Sequence, residues 1–279
     1  MRYLEPRDFR LDDFLRKPLP AGRWGQEGFL RLSIQSEGLP IHAAEGVWRP
    51  SHTSLFGLGE GELQVTEDRF TSIDSVQVSV ISLRNAGPHA LDIAVGCGWE
   101  TDMLVRIAPP GDDLIQRVES GGRVQFVFAA AESRERAESW ATERNPVRRQ
   151  IEAQERWLHD YAPRLDCPDL AHMQAFYETW HARWLQQDTS GRSDETLEAL
   201  LNPTLTAAGE LTLRPALSDL PRLCVADWPI GQSRITVVWD DPTVPGDAYD
   251  DGLKGLVVWK DGKRAHQQDN LAPLTLAVS

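Results

Sequence analysis

From Glu132 to Gln187 the chain reads ESRERAESWATERNPVRRQIEAQERWLHDYAPRLDCPDLAHMQAFYETWHARWLQQ, its one long helical run, with β-like sequence on both sides. Chain order is therefore β, then helix, then β, and the helical run reads as a connector. Local chemistry marks three helix starts within it. Ser133 is placed to cap the first. Asn145 caps the second, with Pro146 at the first helical position. Cys167-Pro168-Asp169 opens the third with a proline and an acid. On that third helix Leu170, Met173, Tyr177, Trp180 and Trp184 recur three and four apart, which lines one face with large side chains that must be buried. Such a stripe packs against another layer more often than it offers a ligand platform.

The flanking regions carry the period of two that strands require. FLRLSIQS alternates Phe29, Arg31 and Ser33 against Leu30, Leu32 and Ile34. VQVSVISL places Val76, Val78 and Val80 on one face, after which Ile81 and Leu83 break the parity. That break fits either a bulge or a strand buried on both sides. Asn85-Ala86-Gly87-Pro88 is a turn, Leu91, Ile93 and Val95 alternate again, and Gly121-Gly122 is a hairpin signal before Val124, Phe126 and Phe128. Residues 1 to 24, with Pro18 and Pro20, form a lead-in at the edge of this first domain. After the connector, TSGRSD (189 to 194) is a polar break and ETLEALL makes about two helical turns before Pro203. Strands follow at Leu211 to Leu213, Leu223 to Ala226, Ile235 to Trp239, Gly255 to Trp259 and Leu274 to Val278, with Asp261-Gly262 a hairpin turn after the fourth. The expected fold is mainly β with a helical connector (α+β). It comprises an antiparallel sandwich (1 to 131), about three helices (132 to 190) and a smaller β-sandwich domain (191 to 279).

Several function classes fall away on the residues themselves. The net charge of −13 and the lack of any cluster of Lys and Arg exclude a nucleic-acid partner. No segment is apolar enough to cross a membrane or to serve as a signal peptide, and three scattered cysteines indicate no disulfide framework, so a cytoplasmic setting is expected. Gly57, Gly59 and Gly61 resemble a phosphate loop only superficially. Glu62 stands where a third glycine is needed, and ELQV continues as a strand. Ser51-His52 is read as no triad, because neighbours on a strand face opposite ways. The acidic loop running through Asp240, Asp241, Asp247, Asp250 and Asp251 offers oxygens to calcium, although without EF-hand spacing and with solvation the commoner fate of such acids. The histidines show no metal-ligand spacing, so no metal, cofactor or catalytic residue is assigned.

Residues 143 to 185, ERNPVRRQIEAQERWLHDYAPRLDCPDLAHMQAFYETWHARWL, resemble the linker of bacterial six-hairpin glycosidases, the α-glucosidase, trehalase and glycogen-debranching-like group. SVISLRNAGPHALDIAVG and RVQFVFAAAESRERAESWA resemble the last sheets of that group's N-terminal supersandwich, and LTLRPALSDLPRLCVADWPIG its small C-terminal β domain. The resemblance implies an (α/α)6 catalytic barrel between linker and C-terminal domain. Twelve helices of about 12 residues with connections of about 5 need roughly 200 residues, and only a few dozen lie there. The general acid and base that the family carries on barrel loops therefore have no counterpart here.

The expected function is a non-catalytic, glycosidase-derived module for carbohydrate binding or protein association. The alternative is a glycoside hydrolase with a site rebuilt from Glu60, Glu62, Glu100 and Asp102, which alternation equally explains as outward strand residues. Loss of the barrel is expected to leave Trp157, Phe176, Trp180 and Trp184 at an exposed margin. There they would take a carbohydrate, a partner protein or a second copy of the chain, unless the C-terminal domain folds over them.

Overall fold

The computed structural model describes residues 11–108, 114–186, 188, 194–249 and 253–278, the side chain of Asp13 excepted. It is a mainly antiparallel β protein with helical connectors, as the periodicities require. By contacts the described chain divides into two compact units, residues 15–153 and residues 154–278 with 11–14, the boundary falling between Ala153 and Gln154. The lead-in is thus split: helix α1 (Leu11–Phe14) groups with the later unit.

The earlier unit begins with β1 (Lys17–Leu19), β2 (Leu30–Ser36), β3 (Leu39–Ile41), β4 (Glu45–Trp48) and β5 (Thr53–Gly59). After a 3-10 turn at Glu60–Glu62 come β6 (Leu63–Thr71), β7 (Gln77–Asn85), β8 (Leu91–Trp99), β9 (Leu104–Ala108), β10 (Ile115–Val118) and β11 (Arg123–Ala131). They form a seven-stranded sheet, β1-β4-β5-β6-β7-β11-β9, and a four-stranded sheet, β10-β8-β2-β3. β1 is an edge strand, as read for the end of the lead-in. β2 shows strict alternation between buried and exposed positions.

The parity break in β7 is a strand buried on both sides. Its pairing with β6 and β11 runs without a register shift. Ile81 and Leu83 join the core that includes Phe29, Leu32, Ile34, Leu91 and Phe126, while Val76, Val78 and Val80 join a second core with Phe70, Val127, Ala137 and Trp140. That second core is closed by α2 (Arg134–Ala141), whose start is capped by Ser133 accepting from Arg136 N. Gly121-Gly122 is not a hairpin. It carries the chain from β10 in one sheet to β11 in the other, held by Gly121 N–H to Asn85 O at 2.9 Å and Asn85 N–H to Gly122 O at 3.1 Å. The glycine pair signals a tight turn, whereas the partner strand is chosen by which face must be buried.

Helix α3 (Pro146–Tyr161) starts on its proline as expected, with Asn145 O accepting from Arg149 N. A strand, β12 (Arg164–Asp166), then interrupts the helical run and pairs with β15 below. Helix α4 (Leu170–Gln186) follows, capped by Asp169 Oδ1, which accepts from Ala171 N at 2.8 Å and His172 N at 3.3 Å. Helix α5 (Glu195–Leu201) is capped by Asp194 and ends at the left-handed Asn202, just before Pro203.

The remaining strands are β13 (Thr204–Leu205), β14 (Glu210–Leu213), β15 (Arg222–Ile230), β16 (Ser233–Asp240), β17 (Gly255–Lys260), β18 (Lys263–Gln268) and β19 (Leu274–Ala277). They make a five-stranded sheet, β12-β15-β16-β17-β18, and a three-stranded sheet, β13-β14-β19. Asp261 and Gly262 both have positive φ, at 50° and 78°, which is the geometry of a two-residue hairpin turn. β18, KRAHQQ, has no apolar alternation to read, because it is a polar edge strand.

Candidate functional site

The segment from Ala21 to Phe29 organises the concavities of the earlier unit. It cannot continue as a strand: Gly25 and Gly28 have φ of 88° and 72°, and a Cβ on Gly25 would lie 2.1 Å from Leu30 O. The Trp24 indole N–H donates to Ile41 O at 2.8 Å, and Leu30 N–H closes a turn on Gln26 O at 2.8 Å. Gly57 and Gly59 are explained here as well. A Cβ on Gly57 would meet His42 O at 2.6 Å and the Trp24 ring at 2.7 Å, and one on Gly59 would meet Ile41 at 2.6 Å. Close packing, and no phosphate, accounts for these two glycines.

Beneath Gly25 lies Glu67, fully buried on β6. Its Oε2 accepts from Gly25 N at 2.8 Å and its Oε1 from the Ser79 hydroxyl at 2.7 Å. Burial pushes the Glu67 carboxyl above the ordinary glutamate value, outweighing the stabilising effects of Ser79, Gly25 and Arg69. Two residues on, Arg69 Nη1 donates to Gly25 O at 2.7 Å. A cleft of about 400 Å³ opens above, lined by Arg23, Gln26, Glu27, Thr53, Arg69 and Phe70 with Gly25.

A second cleft of about 590 Å³ is lined by Gly28, Glu100, Thr101, Asp102, Met103, Leu104 and Glu132. Glu100 is clamped by two arginines, with Arg23 Nη2 at 3.0 Å and Arg31 Nη2 at 2.8 Å, and it accepts from Gly28 N at 3.3 Å. The Arg23 hydrogen bond, foremost, holds its carboxyl below the ordinary range. Of the four acids read as a rebuilt catalytic set, only Glu100 and Asp102 share this cleft. Gly61, between Glu60 and Glu62, abuts Leu91 at the start of the nine-residue strand β8, whereas Glu100 follows its far end. At about 3.3 Å per residue the two pairs are separated by roughly 25 Å, so they form no single site.

Ser51 and His52 do meet, contrary to the strand-based argument. The residues lie outside any strand, and Ser51 Oγ is 2.6 Å from His52 Nδ1. His52 Nε2 is 3.9 Å from Asp68 Oδ1, and that oxygen also accepts from the Ser54 hydroxyl at 2.6 Å. Ser51 is only 2% exposed, so its hydroxyl is closed off from a substrate, although Asp68 at the other end is partly exposed.

The four rings expected at an exposed margin are all inside the later unit. Trp157, Phe176, Trp180 and Trp184 are between 0% and 5% exposed. Trp157 and Phe176 stand 6.3 and 6.2 Å from Trp180, and Phe176 packs edge-on to Tyr177 at 5.0 Å. These three rings pack on one another at aromatic distances, Trp184 lies 5.7 Å from the His181 ring, and α4 turns its polar side outward instead. Leu170, expected on the buried face, is 69% exposed because it is the first residue of α4. The Tyr177 hydroxyl bonds to both Leu165 N and Leu165 O, fixing α4 to β12.

In the acidic loop, a cation of the chain's own is already in place. Lys254 Nζ lies 2.8 Å from Asp240 Oδ1 and 3.2 Å from Val244 O, and it also donates to Gly246 O. Asp240 Oδ2 accepts from Ala248 N at 2.8 Å. An ammonium therefore holds the centre that the loop's acids would have offered to calcium. Asp241 turns aside to accept from Thr243 N and its hydroxyl, and Asp250 and Asp251 lie outside the described residues. No group of His, Cys, Asp or Glu suited to a metal is found among the described residues.

Sequence reasoning passed over Glu67, Arg69 and Arg23. A signal existed: in LQVTEDRFT, Leu63, Val65 and Glu67 share one parity, so an acid stands on the apolar face of a strand.

No family model matches the chain, and no curated protein matches it. Among solved structures it is similar to one described as "Putative kojibiose phosphorylase from human microbiome", at 7% identity and a TM-score of 0.40, over 61% of this chain and 35% of that one. The chain thus spans about a third of that protein's length. No helix among the described residues is long and apolar enough to cross a membrane.

Proposed function

We propose that the chain is a non-catalytic, glycosidase-derived β-sandwich protein that binds carbohydrate, with the 590 Å³ cleft as its sugar site. One observation carries the reading: Glu100, Asp102 and Glu132 line one open cleft together with Thr101, Met103 and Leu104. Carboxylates accept hydrogen bonds from pairs of sugar hydroxyls, and a few fixed polar groups beside apolar side chains are what a small-molecule site requires. Glu100 is held ionised and oriented by Arg23 and Arg31, so it serves as a ready acceptor. The linker resemblance supplies the sugar class.

The second reading, a glycoside hydrolase, is favoured by the same grouping of acids. It needs one carboxyl kept protonated to act as general acid. Glu100, shifted toward its charged form, is fitted only to the base or nucleophile role.

Calorimetric titration with α-linked gluco-oligosaccharides and a broader glycan panel tests binding, with Asp102→Asn and Glu132→Gln expected to weaken it about tenfold each. Silence across the panel at millimolar sugar sinks the proposal. Turnover of aryl α-glucosides or trehalose that is lost in Glu100→Gln favours the hydrolase.

A further inference from the structure

We propose that the smaller cleft, floored by Arg69 and walled by Arg23, Thr53 and Gln26, recognises the carboxylate of a uronic-acid residue, so that the glycan bound by this unit is acidic. The inference rests on the carbohydrate reading for its sugar and on the cleft's own charges for its anion.

Arg69 is half-buried and uses one N–H on Gly25 O. A guanidinium has five donors in a planar fork, and no ion pair engages the others among the described residues. The acid on its own strand face, Glu67, makes no ion-pair contact with it: its oxygens accept from Gly25 N and the Ser79 hydroxyl, and it acts on Arg69 only through space. Desolvation also drives Glu67 toward its neutral form, which weakens its claim on the arginine. Asp68 points to the opposite face of β6 and is held by Ser54. Arg23, on the wall, shares the single carboxylate of Glu100 with Arg31. The cleft therefore carries a surplus of cationic donors in a chain of net charge −13. A partly desolvated arginine with no carboxylate in ion-pair contact keeps donors free for a ligand, and the fork matches a planar carboxylate in bidentate fashion. Thr53 adds a hydroxyl at the same wall. The volume, about 400 Å³, lies within the range of small-ligand sites. Glu27 is the one acid among the residues that line the cleft.

The test is calorimetry with a galacturonate trisaccharide, a neutral galactose trisaccharide, and acetate, sulfate and inorganic phosphate as separate probes. The uronate is expected to bind at least tenfold more tightly than the neutral trisaccharide, with affinity falling as salt rises. Arg69→Gln should cost about tenfold to a hundredfold in uronate affinity, and Arg69→Lys should recover part of it. Glu27→Gln should tighten uronate binding, a gain that a merely structural role for the cleft does not produce. Thermal melts confirm that each variant is folded. Equal binding of uronate and neutral sugar, unchanged in Arg69→Gln, overturns the anion site and leaves the carbohydrate reading intact. Binding of acetate, sulfate or phosphate as tight as that of the uronate keeps the anion site but refutes the sugar. No binding of any probe refutes the proposal outright.

Discussion

Lys254 Nζ sits 2.8 Å from Asp240 Oδ1, and the Asp240 residue is 1% exposed. The pair closes the 241–249 loop from within, since the same ammonium also holds Val244 O and Gly246 O. Asp240 is buried and Lys254 is partly exposed, so removing the ammonium leaves a buried carboxylate uncompensated. Lys254→Met should therefore lower stability by about 1–3 kcal/mol. Millimolar calcium should leave the melting temperature of the wild-type protein unchanged, and a clear upward shift would show that the ammonium yields its place.

Glu67 offers a pH test. Its folded-state pKa is raised, so the folded protein holds the proton more tightly than the unfolded chain. The stability it contributes is complete below the ordinary glutamate value and is lost as pH rises through the folded value. Glu67→Gln keeps an acceptor for Gly25 N–H and cannot ionise, so its stability relative to wild type should rise from pH 5 to pH 8 in denaturant titrations. Glu67→Ala leaves Gly25 N–H and the Ser79 hydroxyl unpaired and should cost about 1–3 kcal/mol. A Gln variant that loses stability relative to wild type across that window contradicts the assignment.

Gly25 is the position at which the 21–29 segment is least forgiving. Gly25→Ala must accommodate both a φ of 88° and a Cβ 2.1 Å from Leu30 O. A loss of about 3 kcal/mol or more is expected, together with weakened binding in both clefts, read by melting and calorimetry on one preparation. A neutral substitution contradicts the account of the loop.

For the aromatic cluster the expectation is purely one of stability. Trp180→Ala removes a 2%-exposed ring that touches Trp157 and Phe176, and should cost about 3–5 kcal/mol. Sedimentation of wild type and variant should show the same species at every concentration. A concentration-dependent dimer abolished by the substitution would restore these rings as a docking face.

What the sequence made legible was what local chemistry decides. Ser133, Pro146 and the Asp261-Gly262 turn act within a few residues of themselves and stand where they were read, while Asp169, read in the opening turn of its helix, caps it from one residue before. The period of β2 was legible because its inward positions are apolar, and β15 to β17 were legible as short, largely apolar runs, buried at nearly every position. β12 and β18 were not, since one is three residues long and the other is polar but for Ala265. The clefts depend on contacts spanning great separations in sequence. Gly25 reaches Glu67 and Arg31 reaches Glu100, 42 and 69 residues away, and no periodicity encodes such pairings. The same holds for the choice of sheet at Gly121-Gly122, and for the burial of the rings, which follows from their packing on one another.

The two-sided burial of β7 changes what a mutational scan of this chain should look like. In β2, with one buried face, tolerance to polar substitution should oscillate with every second residue. In β7, Val78 and Val80 belong to one core while Ile81 and Leu83 belong to the other, so substitutions at either parity damage a core. The oscillation should vanish there, leaving a flat band of intolerance from Val78 to Leu83 broken only at the half-buried Ser82. β11, with Phe126 and Phe128 in one core and Val127 and Ala129 in the other, should show a second such band, and through these two strands the cores of the earlier unit inherit each other's errors.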